Sequence, residues 1–189
     1  MQELRERIVA DGEVIGRDVL KVDSFLNHQI DPAFTMRMGQ EIARRFAGAG
    51  VTKILTVEAS GIAVAAATGL TLGVPVVFAK KKRAVTQQGR LYSAQVFSFT
   101  RREAVHITVA EKFLVAADVV LIVDDFLAHG EALKGMVSLV RQAGATLAGA
   151  GIVIEKRFQG GGEPLRAEGV RIESLAVIDS MEAGVIRFA

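Results

Sequence analysis

One stretch constrains the fold of this 189-residue chain more than any other. Residues 119–123 are five consecutive apolar residues, four of them β-branched, a composition typical of a strand buried on both faces of a parallel sheet. Two acids follow at 124–125, then a short loop containing Gly130, and residues 133–143 have the apolar spacing of a helix. This order brings free backbone N–H groups to one point, where the helix dipole favours an anion.

A similar arrangement occurs earlier in the chain. Residues 53–57 predict a buried strand and residues 62–72 an Ala-rich helix, with a turn of small residues between them. That turn consists of Glu58, Ala59, Ser60 and Gly61. A third predicted strand, 74–79, runs directly into the basic residues 80–83. Because the carboxyl ends of parallel strands meet at one sheet edge, two anion-binding turns and a cluster of cations are expected together.

Composition limits the class of protein. Half of the residues are hydrophobic, enough for one compact α/β domain over residues 1–189. No apolar run approaches the ~20 residues of a membrane span, and residues 1–7 lack the apolar region of a signal peptide. The absence of cysteine excludes disulfides and thiolate metal ligands. We therefore expect a cytoplasmic protein without a membrane partner.

Charge and glycine patterns argue against two other classes. The formal net charge is +2, and basic residues neither line one element nor alternate with exposed aromatics, so no nucleic-acid partner is expected. The chain has no Walker A sequence and no Gly-x-Gly-x-x-Gly fingerprint, which argues against a Rossmann-type nucleotide binder.

Three further segments carry open interpretations. Asn27 lies in a predicted loop beside Phe25 and Leu26, placed at the surface by the pattern, and an Asn in a turn ordinarily bonds its own backbone. Lys156 follows a predicted strand, where it is either a solvated charge or a cation for an oxo group. Residues 84–111 alternate like an antiparallel ribbon, which is either a cover for the sheet or a lid that excludes water.

The run 120–132 resembles the phosphoribosyl pyrophosphate (PRPP) motif of type I phosphoribosyltransferases: a hydrophobic run, two acids and a short glycine-bearing loop. It departs from that motif at His129 and Ala132, where many members carry hydroxyl residues. The resemblance implies an α/β fold with a mostly parallel, five-stranded sheet flanked by helices. It also implies a small hood, from about 1–35 and 157–189, and a flexible antiparallel lid at about 82–112.

The resemblance also implies the site. The catalytic residues would be Asp124 and Asp125, which hold the ribose hydroxyls and offset developing positive charge. The PRPP phosphates would be bound by Glu58, Ala59, Ser60, Gly61, Lys81, Ala128, His129, Gly130, Glu131 and Ala132. The base would be bound by Leu20, Asn27 and Lys156. The lid would contain Gly89, Tyr92 and Ser93. Either aspartate could accept the purine proton, a point that the sequence leaves open.

The implied activity is that of a pentosyltransferase in purine salvage, moving a 5-phosphoribosyl group from PRPP to N9 of a 6-oxopurine. Xanthine is the expected base, with XMP and pyrophosphate as products, Mg²⁺ carried by PRPP, no metal site in the protein, and a homodimer as the assembly. Guanine and hypoxanthine share the 6-oxo group and remain alternatives. A PRPP-binding, purine-responsive transcription regulator is the alternative from another class. It would need a DNA-binding segment, and fewer than 20 residues precede the first predicted strand.

Overall fold

The computed structural model describes residues 1–81, 89–98, 103–182 and 184–189. The helices are α1 (Gln2–Asp11), α2 (Pro32–Arg45), α3 (Gly61–Leu72), α4 (Glu131–Gln142) and α5 (Glu163–Ala167). The strands are β1 (Glu13–Ile15), β2 (Val19–Lys21), β3 (Lys53–Val57), β4 (Val76–Ala79), β5 (Leu91–Ser98), β6 (Glu103–Ala110), β7 (Val119–Leu127), β8 (Thr146–Lys156), β9 (Ile172–Glu182) and β10 (Val185–Phe188). Short helical turns occupy Asp23–Asn27, Glu111–Phe113 and Arg157–Gln159.

The central sheet is mostly parallel, as the sequence predicts, with the strand order β10-β9-β8-β7-β3-β4. Five of its strands are parallel to one another, and β10 pairs antiparallel with β9 at the edge. The predicted count of five is therefore one short. The last strand continues to Glu182, and the chain reverses near Gly184, whose φ of +77° suits a tight turn, to add β10.

Strand β7 lies in the middle of the parallel strands, between β3 and β8. Residues 120–123 are fully buried because their side chains pack into two cores on opposite faces of the sheet. Leu121 and Val123 pack with α2 and the hood, and Val120 and Ile122 pack with α4. The strand extends to Leu127, so the two acids lie inside it, near its carboxyl end.

The β5–β6 hairpin forms a second layer over α4. Ala94 and Val96 of β5, with Ile107 and Val109 of β6, are buried in the core beneath it. Gly135 allows this close packing, since a Cβ there would collide with Val96. These residues therefore pack the hairpin against α4 and the core on that face of the sheet.

The hood joins α1, β1, β2 and the turn Asp23–Asn27. Phe25 and Leu26 are buried at 0% and 2% exposure, so their predicted surface position is wrong. A tight turn, in which both N–H groups donate to Val22 O, directs the two side chains into the core. The guanidinium of Arg7 lies 5.2 Å from the Phe25 ring centroid and holds α1 against this turn. None of the helices in the described ranges is long and apolar enough to cross a membrane.

Candidate active site

The two acids of β7 face different parts of the site. Asp124 and Asp125 are 4% and 8% exposed, and Asp124 Oδ1 accepts a hydrogen bond of 3.1 Å from Asp125 N. The two carboxyl groups still interact with each other, since a side-chain hydrogen bond joins them. Asp124 lies beside the start of α3, as shown by Gly61, where an added Cβ would be 2.8 Å from Asp124 Oδ1. Asp125 Oδ2 accepts a hydrogen bond of 2.7 Å from Asn27 Nδ2 of the hood.

Burial controls the protonation of Asp124. Removal from water, and then the neighbouring charge of Asp125, raise the pKa of Asp124 well above its usual value. A main-chain N–H bond and the more distant charge of Lys81 oppose this rise without cancelling it. The site therefore favours the neutral form of Asp124 more than water does, and a ligand that brings donors or positive charge would favour the carboxylate.

The turn between β3 and α3 is fixed against the end of β4. Glu58 N donates to Ala79 O at 3.1 Å, and Glu58 Oε1 accepts from Lys81 N at 2.7 Å. The Glu58–Ala59 peptide bond is cis. Ile62 N donates to Ala59 O at 3.1 Å, and Ser60 makes no side-chain cap, so no capping side chain blocks the approach of an anion to the start of the twelve-residue helix α3. The structure thus brings the predicted turn and Lys81 together beside Asp124.

The loop after β7 forms the second anion-ready turn. Gly130 is the N-cap of α4 with φ of +83°, and the Glu131 carboxylate is paired with Lys134 Nζ at 3.1 Å. Glu131 therefore offers its main-chain N–H rather than its side chain. Residues 126–133, together with Phe97 of the hairpin, line a pocket of about 160 Å³. That volume is several times the ~30 Å³ share of a water molecule, enough for a phosphate group.

Two of the residues predicted to bind the base, Asn27 and Lys156, lie near the site, and Lys156 is beside an aromatic ring, Phe126, that the sequence analysis missed. Lys156 Nζ donates to Asp18 O at 2.7 Å and lies 5.8 Å from the ring centroid of Phe126. Burial lowers the pKa of Lys156, and the charge of Asp18 opposes this only in part. Leu20 has its side chain buried at 7% exposure, so it can offer a ligand only its main chain.

No periodicity in the sequence reveals Phe126. Strict alternation would place it on the face opposite Leu121 and Val123, whereas the structure packs Phe126 against the core that contains those two residues and buries Leu127 in the other core. The half-exposed Phe126 ring beside a lysine is a suitable face for a flat heterocycle.

The predicted lid residues lie away from this site. Ser93 N donates to Gln142 Oε1 at 3.2 Å, and Ser93 O accepts from Gln142 Nε2 at 3.0 Å. Gln142 ends α4, whereas the loop lies at the start of that helix. Because β5 runs antiparallel to α4, its last residues approach the site, and Gly89 and Tyr92 belong with Ser93 at the opposite end. Residues 82–88 and 99–102 of the predicted lid lie outside the described residues.

In the described ranges no group of three or more His, Asp or Glu side chains is arranged to hold a metal ion.

Fold and site together define a class. An acid pair on the central strand of a parallel sheet lies between two main-chain anion turns, with a cation at one side and an aromatic wall at the other. Ligands of open α/β sheets bind at this carboxyl edge, and these groups suit a phosphorylated sugar joined to a flat base.

Comparison with known proteins places the chain within that class. Residues 21–175 match the model of the phosphoribosyl transferase domain, and the chain belongs to this family of pentosyltransferases. It is 71% identical to a xanthine phosphoribosyltransferase of Heliobacterium modesticaldum over the whole length of both chains. It is 59% identical to one of Moorella thermoacetica, over 98% of this chain and 94% of the relative.

Solved structures support the fold independently. Adenine phosphoribosyltransferase of Rhodothermus marinus superposes with a TM-score of 0.76, covering 94% of this chain and all of the other at 18% identity. The Trypanosoma brucei adenine enzyme gives a TM-score of 0.74 over 92% of this chain and 79% of the other, at 21% identity. The predicted type I phosphoribosyltransferase fold is confirmed.

Proposed function

We propose that this chain transfers the 5-phosphoribosyl group of PRPP to N9 of xanthine, giving XMP and pyrophosphate. The observation that carries the proposal is the position of the acid pair, with Asp124 beside the turn at Gly61 and Asp125 beside the hood residue Asn27. One acid thus lies on the pyrophosphate side of the ribose and the other on the base side. The full-length relatives, which are named for xanthine, supply the choice of base.

The chemistry needs position and charge more than a covalent partner. The bond from C1′ to the pyrophosphate oxygen breaks, the bond from C1′ to N9 forms, and N9 loses its proton. Asp124 and Asp125 hold the ribose hydroxyls and stabilise the positive charge that develops on the sugar. Because Asp125 is the acid beside Asn27, we assign it the purine-side role and make it the acceptor for the N9 proton.

The phosphate groups fit the two turns. Main-chain N–H groups of residues 128–132 would hold the 5′-phosphate at the start of α4, and residues 58–61 with Lys81 would hold the pyrophosphate. Mg²⁺ fits this arrangement as a companion of PRPP, since it favours phosphate oxygens and water over a protein cage. When bound, it would neutralise part of the charge on the leaving pyrophosphate.

The side chains proposed to bind the base favour a base with oxo groups. Lys156 Nζ and Asn27 Nδ2 are both donors, and xanthine presents two oxo groups, whereas guanine and hypoxanthine each present one. Adenine would direct an amino donor at these donors, which leaves both sides unpaired. Phe126 would stack on the purine face.

Pyrophosphate release from PRPP and Mg²⁺, with xanthine, guanine, hypoxanthine and adenine offered separately, tests the proposal. We expect release with xanthine well above the others. A preference for guanine or hypoxanthine would keep the reaction and overturn the assigned base. PRPP binding without release for any base would contradict catalysis and favour the regulator. The homodimer and the cytoplasmic location implied by the resemblance stay predictions.

A further inference from the structure

The loop that follows β7 is supported by a distant glycine. Gly161 N donates to Ala128 O at 3.0 Å. A Cβ on Gly161 would collide with Ala128 O and Gly130 N, and a Cβ on Gly130 would collide with Gly161 O. Both Gly161 and Gly162 are buried. The sequence analysis gave this glycine-rich stretch no role, yet its backbone lies in direct contact with the phosphate loop.

An ion pair with a buried carboxylate lies against the second of these glycines, Gly162. Glu155 is 1% exposed, and both of its oxygens accept from Arg166, at 2.8 and 2.7 Å. Ser174 Oγ donates a further bond of 2.5 Å to the same carboxylate. A Cβ on Gly162 would be 2.8 Å from Glu155 Oε1 and would collide with Arg166. Such a bidentate pair fixes direction as well as distance.

The ion pair and the loop start at the same level of the sheet, on the neighbouring strands β8 and β7. Glu155 pairs in register with Leu127, the last residue of β7, from which the loop departs. Arg166 N also donates to Gly162 O at 3.0 Å. A continuous set of contacts therefore runs from Arg166 through Glu155 and the two glycines to the loop. Hydrogen bonds from Arg166 and Ser174 outweigh burial and lower the pKa of Glu155, which keeps the pair charged.

We propose that Arg166 is a positioning residue for PRPP: through Glu155, Gly161 and Gly162 it fixes residues 128–130 in the conformation that presents their N–H groups to the 5′-phosphate. This inference rests on the proposed function, because it takes PRPP as the ligand. Its energetic basis is preorganisation. Donors that are already oriented bind an anion without the cost of ordering the loop.

The first test compares Gly161→Ala with Gly169→Ala. Gly161→Ala inserts a methyl group against the loop backbone. Gly169→Ala strains a backbone with φ of +85°, but its added Cβ would meet no atom within 4 Å, so it controls for general damage to the same region. We expect Gly161→Ala to raise KM for PRPP by at least about tenfold, with KM for xanthine changed less than about threefold, and Gly169→Ala to leave both near wild type. Equal changes in the two KM values would overturn the inference.

The second test addresses the ion pair. Arg166→Gln should raise KM for PRPP by about tenfold, and Arg166→Lys, which keeps the charge without the fork, by less. Since Arg166→Gln leaves a buried carboxylate unpaired and can destabilise the fold, the double variant Glu155→Gln with Arg166→Gln removes that charge. It should recover stability and keep the raised KM for PRPP. Recovery of KM together with stability would show that Arg166 acts on folding alone.

The third measurement needs no catalysis. Amide hydrogen exchange of a peptide covering residues 126–133, in the unliganded protein, should be faster in Gly161→Ala and Arg166→Gln than in wild type, and unchanged in Gly169→Ala. Unchanged exchange in all three variants would refute the inference whatever the enzyme assay shows. Faster exchange in a protein that releases no pyrophosphate would keep the positioning role and overturn only the proposed function.

Discussion

Asn27 Nδ2 donates to Asp125 Oδ2 across 2.7 Å, which joins the hood directly to the acid pair of the central strand. The two residues are 98 positions apart in the sequence. The hood turn at Asp23–Asn27 is anchored by buried Phe25 and Leu26, so the exposed amide of Asn27 is held in place from below. A residue expected to bind the base and an acid expected to bind the ribose thus form one hydrogen-bonded unit.

Replacing Asn27 tests that unit. Asn27→Ala should raise KM for xanthine by about 2- to 10-fold, the usual value of one hydrogen bond. Asn27→Asp should be worse, because a second carboxylate would repel Asp125 and the oxo groups of the base. Steady-state kinetics with each substrate varied in turn measure both effects. Gln29→Ala, an exposed change in the same loop, is the control. Equal kinetics for Asn27→Ala and Gln29→Ala would remove Asn27 from the base site.

Lys156 gives a prediction about pH. Burial lowers its pKa, so its ammonium is lost at a lower pH than that of an ordinary lysine. Where binding of xanthine depends on this cation, KM rises as the pH passes upward through the lowered pKa. Lys156→Arg stays charged throughout. The ratio of KM in wild type to KM in Lys156→Arg should therefore rise at alkaline pH, and this ratio cancels any ionisation of xanthine itself.

Removing the charge of Lys156 should act on the base alone. Lys156→Met is expected to raise KM for xanthine by about 10- to 100-fold, the usual range for a bond from a charged donor, with KM for PRPP nearly unchanged. A larger effect on PRPP than on xanthine would place Lys156 on the phosphate side instead.

Asp124 should limit stability as well as serve catalysis. Its pKa is raised on folding, so the stability it contributes is present at low pH and is lost as the pH rises from the ordinary value of 3.8 through the raised value. Asp124→Asn should therefore make the unliganded protein more stable at neutral pH, by about 1–3 kcal/mol, while transfer slows. The gain measured by urea unfolding should shrink as the pH is lowered. Asp179→Asn, at an exposed carboxylate paired with Arg157, is the comparison variant.

The placement of the hairpin predicts which of its residues matter to substrate. Phe97 lines the pocket with residues 126–133, whereas Tyr92 lies near the far end of α4 with Ser93. Phe97→Ala should raise KM for PRPP by about 3- to 10-fold by opening the pocket to water, and Tyr92→Phe should have little effect. If Tyr92→Phe is the damaging change in the same assay, that result supports the predicted lid at residues 89–93 and contradicts a role for Phe97.

The sequence predicted those strands and helices that are determined by interactions between residues close together in the chain. The buried run of β7 and the helix α2, whose Asp31 cap accepts from Phe34 N at 3.0 Å, follow from composition and capping. The burial of Phe25, the direction of β5 along α4 and the added strand β10 depend on contacts between segments distant in sequence. No periodicity within a single element records those contacts. The same reason conceals Phe126, whose role depends on Lys156 across the sheet.

The contact between Gly130 and Gly161 has a consequence for protein engineering. A designer who transplants residues 120–132 onto another parallel sheet would carry over the strand, the acids and the helix start, but not the backbone that lies against the loop. The recipient would need a second segment with a glycine where its backbone contacts the loop. That segment would also need its own buried contacts to hold it against the loop. The portable unit of this site is therefore a pair of segments, and a graft of either one alone should bind phosphate poorly.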